Sequence, residues 1–421
     1  MISFRESHNL TSDDKMVRYR GFHWKRNSHS FPISYNIGQK MKVTLEVTFP
    51  GAQPEAELFI RATDVNGAML MGDEIALTQQ KKDPEKFRLI DHSFDKNISD
   101  VIKHYSWKTA GEEFTITWAY YQKTDDPSLP EIGIGFDVTK HTLYVTHDKP
   151  LTRKVGVLTR IPRQESIFEL SCRYADGMKV GNVSAENGDV ISKLDIAKRI
   201  FVPFTALEVP KVKPTFGVLQ EVPMTYYDAE GGGSCATGAQ MLTDESGNGV
   251  CSAWATLLLE ILGSHGWKGE LKEVQPAVAQ EKLVVVKHVT LGDPSDGLDV
   301  NFPEYKYKGN SNFWTQSPDE NGGIYGQGSS KKYEPPKIFF NHFIAEFENT
   351  IFDPSYESTP VEGPNRIKDF EDRSFALYGV DPDIADDEVP ESDEDLANAV
   401  FRRNNTEQGS GAEVKLITSE F

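Results

Sequence analysis

Cysteine is scarce in this chain: Cys172, Cys235 and Cys251 are the only three in 421 residues. An odd, small set does not make a disulfide framework. It fits a reducing compartment or a lone functional thiol, although a Cys235–Cys251 disulfide would disarm such a thiol. Long apolar runs are absent, so no segment is expected to span a bilayer. Met1-Ile2-Ser3-Phe4-Arg5-Glu6-Ser7-His8 lacks the apolar centre of a secretory signal, which leans toward the cytoplasm and leaves the compartment open. Basic residues are in deficit, 45 Lys+Arg against 64 Asp+Glu, for a formal net charge of −19. A surface of that sign repels nucleic-acid backbones and anionic membranes. Paired Cys/His at zinc spacing and Asp-x-Asp-x-Asp-Gly calcium loops are both missing, so no metal and no cofactor is implied. No internal repeat is visible.

What the chain does contain is enough apolar and aromatic residue, 38% and 11%, for packed cores, in a length that calls for two or three domains. Residues 1–32, with the aromatic-basic patch Phe22-His23-Trp24-Lys25-Arg26, read as an N-terminal arm. From 33 to 150 the pattern is β. Met41–Phe49 alternates apolar and polar with period two, and Glu57–Ala62, Phe114–Tyr121 and His141–Thr146 are further strands between turn residues. Short strands of this kind suggest an Ig-like β-sandwich. From 151 to 375 helices come first and strands after, which predicts an α+β domain. Helical periodicity covers 163–175 and 189–201, and a strongly apolar helix begins near Cys251 and stops at Gly263. A Gly/Asn/Ser-rich stretch, 309–330, follows the strand Lys282–Val286. Residues 376–421 read as an acidic tail, with nine acids and no base between 381 and 395.

The chemistry lies in three places. In Gly249-Val250-Cys251-Ser252-Ala253-Trp254-Ala255, a thiol stands where a glycine-bearing loop becomes a helix. Unpaired N–H groups and the positive end of the helix dipole favour thiolate there, and thiolate is the nucleophile. Residues 341–355, Asn-His-Phe-Ile-Ala-Glu-Phe-Glu-Asn-Thr-Ile-Phe-Asp-Pro-Ser, supply His342 and Asp353. A two-residue hairpin loop at Glu348-Asn349 pairs Phe347 with Thr350 and places Asp353 opposite Ile344. His342 and Asp353 then share a face as diagonal neighbours roughly 7–8 Å apart at Cα. Phe343, Ala345, Phe347 and Phe352 go to the other face, toward a core. Taken singly, a cysteine on an apolar helix packs, a strand histidine is a satisfied polar residue and Asp-Pro is a turn. Together they form a constellation for acyl transfer: Cys251 attacks, His342 moves the proton and Asp353 orients the ring. Asn248, Tyr227 and Trp254 are candidates for oxyanion or substrate contacts.

These segments resemble the transglutaminase-like superfamily of cysteine enzymes. The residues around Cys251 are similar to its nucleophile helix, Asn341–Glu346 to its histidine strand, and Phe352-Asp353-Pro354-Ser355 to its aspartate strand. Residues 163–175 and Tyr226-Tyr227 resemble the lead-in of uncharacterised bacterial members. The likeness covers the second half of the chain. It implies a papain-like α+β core and attack on a peptide or carboxamide bond of a protein or peptide substrate through a thioester. The long Cys-to-His interval and the lack of an acidic calcium site depart from the animal cross-linking enzymes and place hydrolysis, as a peptidase, ahead. A catalytically silent binding or scaffold protein on the same fold is the alternative. Carbohydrate processing by paired carboxylates ranks last, because no pair is singled out by spacing.

Overall fold

The alternation at Met41–Phe49 becomes the strand Lys40–Thr48, with Met41, Val43 and Leu45 turned inward. The computed structural model describes residues 1–5, 7–8, 10–11, 31–52, 57–98, 104–105, 114–122, 132–155, 159–161, 163–184, 187–205, 209–215, 218–226, 235–244, 247–276, 284–287, 289–291, 313–315, 322–326, 338–339, 342–358, 360–380, 400–402 and 412–416. The architecture is mixed α+β and mostly β. Among the described residues, no helix is long and apolar enough to cross a membrane. Contacts divide the chain into two units. Unit 1 comprises Met1–Ser192, Val212–Gln220 and Gly263–Trp267, and unit 2 comprises Lys193–Lys211, Glu221–Leu262 and Lys268–Phe421.

Unit 1 is built on a seven-stranded antiparallel sheet. Its order is Ile2–Arg5, Lys40–Thr48, Asp83–Asn97, Met69–Gln80, Leu58–Thr63, Phe114–Gln122 and Ile132–His141. A smaller sheet pairs Ile33–Asn36, Leu143–Thr146 and His104–Tyr105. One core joins the inner residues of both, among them Ile33, Tyr35, Val43, Ile60, Trp118 and Val145. The expected strands are present in one continuous order, in which Met69–Gln80 pairs with Leu58–Thr63 over its first part and with Asp83–Asn97 over its last; an Ig-like sandwich is a finer statement than this pairing makes. Residues 2–5, expected in the arm, pair with Lys42–Leu45 because Ile2 and Phe4 supply apolar side chains to that core. The patch at residues 22–26 lies outside the described residues.

Helix α1, Glu165–Tyr174, realises the 163–175 periodicity, burying Ile167, Phe168 and Leu170, and the chain turns away at Gly177 with φ 82°. Beneath it lies His265, wholly buried, whose Nδ1 accepts the His147 N–H at 3.1 Å while Nε2 faces the Ser171 carbonyl at 3.3 Å. Burial lowers its pKa from 6.5 to about 4. His8 is lowered to about 4 as well, by burial and then by Lys149. The sign follows directly: between these values the unfolded chain takes up protons that the folded histidines refuse. Unit 1 is therefore expected to keep its full stability above pH 6.5 and to lose it as the pH falls toward 4. For His265 the loss approaches roughly 3 kcal/mol. Urea unfolding followed by tryptophan fluorescence at pH 7 and pH 4.5 measures it, and the pH difference is expected to shrink in His265→Gln.

Unit 2 holds helices α2 (Lys193–Thr205), α3 (Gly238–Thr243), α4 (Cys251–Ser264, its last residues counted with unit 1) and α5 (Arg366–Ser374). A five-stranded antiparallel sheet runs Val361–Glu362, Thr350–Phe352, His342–Phe347, Glu270–Pro276 and Ala412–Leu416. A second sheet runs Ile338–Phe339, Val284–Lys287, Phe375–Val380 and Val400–Arg402. Three of these strands fall in the span expected to be an acidic tail. Ala412–Leu416 pairs with Glu270–Pro276, Phe375–Val380 with Val284–Lys287, and Val400–Arg402 with Phe375–Val380, while the acidic run 381–395 itself lies outside the described residues.

Candidate functional site

The hairpin that carries His342 and Asp353 is fixed by its turn. Glu348 and Asn349 both take positive φ, 49° and 58°, as a two-residue type I′ connection requires. The register is Phe347↔Thr350, Glu346↔Ile351 and Ala345↔Phe352, so the chain returns with Asp353 opposite Ile344. His342 Nε2 and Asp353 Oδ2 stand 3.0 Å apart, with side chains 1% and 0% exposed. The other carboxylate oxygen, Oδ1, accepts the Ser355 N–H at 3.3 Å in the turn that Pro354 begins. With Asp353 ionised, its oxygens only accept, and a neutral imidazole paired to it carries its proton on Nε2 and its basic lone pair on Nδ1.

Both faces of the sheet are covered, where the sequence suggested one. Ile344, Ile351, Val274 and Val361 pack with Phe370 of α5 on the His342 side. Glu346 holds α5 there, accepting from Arg366 Nε at 2.9 Å and pairing with Lys272 at 3.0 Å. On the opposite side Phe352 meets Phe201 of α2, edge to face at 5.1 Å.

Cys251 opens α4 and is half-buried. The approach to it is tightly built. Val250 N–H donates to Cys235 O at 3.2 Å, Val250 O accepts from Ala253 and Trp254, and the Ser252 hydroxyl donates to Ala236 O at 2.8 Å. Gly249 is needed here, because a Cβ would stand 2.8 Å from that of Ala253. All three cysteines are free thiols. Burial pushes Cys172 up strongly, and burial followed by Asp244 pushes Cys235 up. Both are poor nucleophiles in these settings.

Of the expected oxyanion or substrate contacts, Trp254 is wholly buried. Its indole N–H donates to Gly249 O at 3.1 Å and its ring meets Phe204 edge-on at 6.1 Å, so it holds the start of the helix. Asn248 lies in a short strand whose backbone pairs with Thr225. Tyr227 lies outside the described residues. Sequence reasoning placed Phe201 on the apolar side of the 189–201 helix but missed Phe204, on which it stacks at 5.3 Å and 11° in α2. The available signal was two phenylalanines three residues apart in a helical pattern. No cluster of three or more metal-ligating side chains occurs among the described residues.

No protein-family model matches the chain, and no curated protein does. Among solved structures, the crystal structure of red sea bream transglutaminase is similar at 11% identity with a TM-score of 0.28. The match covers 81% of this chain and 52% of that one, so the chain spans about half the length of that structure.

Proposed function

We propose that the protein is a cysteine-dependent acyl-transfer enzyme of the transglutaminase-like kind, acting on peptide or carboxamide bonds, most simply as a peptidase or amidohydrolase. The supporting observation is the buried 3.0 Å pairing of His342 Nε2 with Asp353 Oδ2; with the carboxylate ionised it holds the ring proton on Nε2 and makes Nδ1 the base. In this reading Cys251 Sγ attacks the carbonyl carbon as Nδ1 takes the thiol proton. The tetrahedral oxyanion rests on backbone N–H groups at the start of α4. Its collapse expels an amine, or ammonia, which leaves with the proton from His342, and a thioester remains. Water, deprotonated by the same nitrogen, then releases the acid and the free thiol. The test is incubation with a casein digest and a glutamine-bearing peptide, following new amino termini and ammonia. Turnover that survives in Cys172→Ala and Cys235→Ala but vanishes in Cys251→Ala is the expected result, and turnover that persists in Cys251→Ala contradicts the proposal.

A specific feature favours the second reading, a silent binding or scaffold protein. His342 is only 1% exposed and alternates, with Ile344, to the face that α5 covers. The rings leading to the Cys251 helix meet the opposite face at Phe352. Under that reading none of the three cysteine variants changes any turnover, because there is none.

A further inference from the structure

Four aromatic rings run without a break from the start of α4 to the residue before Asp353. Trp254, three residues after Cys251, meets Phe204 at 6.1 Å and 83°. Phe204 stacks on Phe201 at 5.3 Å and 11°, and Phe201 meets Phe352 at 5.1 Å and 70°. None of the four is more than 1% exposed. Both ends are anchored to the backbone: Trp254 through its indole bond to Gly249 O, and Phe352 through its pairing with Ala345. Edge-to-face and stacked rings have few low-energy separations, and a packed interior transmits displacement rather than absorbing it. The middle pair belongs to α2, an element that carries none of the three reacting side chains.

We propose that Phe201 and Phe204 are positioning residues for the Cys251 reaction. Their stack sets the separation between the cysteine helix and the hairpin that carries His342 and Asp353, acting from the sheet face opposite those two side chains. The inference rests on the acyl-transfer reading and adds to it the element that aligns its two halves. Misplacement of reacting groups by about 1 Å slows such chemistry by as much as 10²-fold. A leucine at either position fills part of the space but restores neither the stack nor the edge contact.

The experiment is a double-mutant cycle on the full chain, read as the rate of Cys251 alkylation by iodoacetamide at pH 7. Wild type, Phe204→Leu, His342→Ala and the double variant are compared, with Phe168→Leu in unit 1 as the packing control. Phe204→Leu is expected to slow alkylation by about tenfold. His342→Ala is expected to add little on that background, since both act on one ion pair. Phe201→Leu is expected to behave alike, and Phe168→Leu to leave the rate unchanged. Phe204→Met and Phe201→Met, whose unbranched side chains adapt to irregular gaps, replace any leucine variant that does not fold. Additive effects, or an unchanged rate in folded Phe204 and Phe201 variants, overturn the positioning role. If wild-type alkylation does not depend on His342 at all, the acyl-transfer reading fails first, and this inference with it.

Discussion

Alanine at Asp353 is expected to slow Cys251 alkylation at neutral pH by roughly 10²-fold or more and to destabilise unit 2 by about 3–5 kcal/mol. Two losses combine. His342 remains buried with Nε2 deprived of its 3.0 Å acceptor, and the Ser355 N–H loses Oδ1. Removing one member of a buried polar pair leaves the other desolvated and unsatisfied. Asparagine at the same position separates stability from chemistry. Its carbonyl oxygen can still accept from Ser355, which turns the amide nitrogen toward His342. A donor there requires a bare Nε2 and moves the ring proton to Nδ1, the nitrogen that must take the thiol proton. Asp353→Asn is therefore expected to fold with a loss of about 1 kcal/mol and to be nearly as unreactive as the alanine variant. Urea titrations and the alkylation rate, measured on the same preparations, check both halves. An asparagine variant with wild-type reactivity would show that the tautomer does not matter.

The second large effect concerns packing. Gly238→Ala is expected to destabilise unit 2 by about 3 kcal/mol, at the upper end for an overpacked core. Gly238 opens α3, and a Cβ built on it stands 2.7 Å from both Cα and N of Leu257 in the middle of α4. Those are backbone atoms of a buried helix, with no flexible side chain to yield. The two helices must separate, which also stretches the 2.8 Å bond from Gly238 N–H to the Thr256 hydroxyl. Gly51→Ala is a useful contrast. Nothing lies within 4 Å of its Cβ, so only the cost of its φ of 79° applies. Hydrogen exchange of α3 and α4 amides in Gly238→Ala is expected to rise ahead of that in the sheet. Unchanged protection in α4 contradicts the close approach.

The hairpin was legible because parity is a hard constraint. A two-residue loop admits one register, and period-two alternation then assigns every side chain. Helix starts were less legible. Val190 and Ile191 continue an apolar period that reads as helix from 189, yet α2 begins at Lys193. Those two residues serve a turn instead, with Val190 bridging Val183 and Ile191 exchanging bonds with Gly181 and Asn182. Gly263 reads as a stop, but α4 runs on to Ser264 and turns at Gly266, φ 79°. Gly263 is required for a different reason: the Arg163 guanidinium lies where its Cβ would be. No local rule carries such a contact, because the partner is distant in the chain. The same applies to Trp254. Its place beside Cys251 suggested a substrate contact, although the helical period already put it on the buried face with Leu257, Leu258 and Ile261, where its ring meets Phe204. Of the site, the pairing of His342 with Asp353 was legible from spacing, whereas the rings that tie α4 to the hairpin were not.

The measurement that bears most directly on the central claim is the alkylation rate of each cysteine at pH 7, resolved by peptide mapping in wild type and His342→Ala. The account predicts that Cys251 labels at least about tenfold faster than Cys172 and Cys235, and that His342→Ala removes most of that advantage. Equal, slow labelling of all three thiols, or a Cys251 rate indifferent to His342, would contradict it.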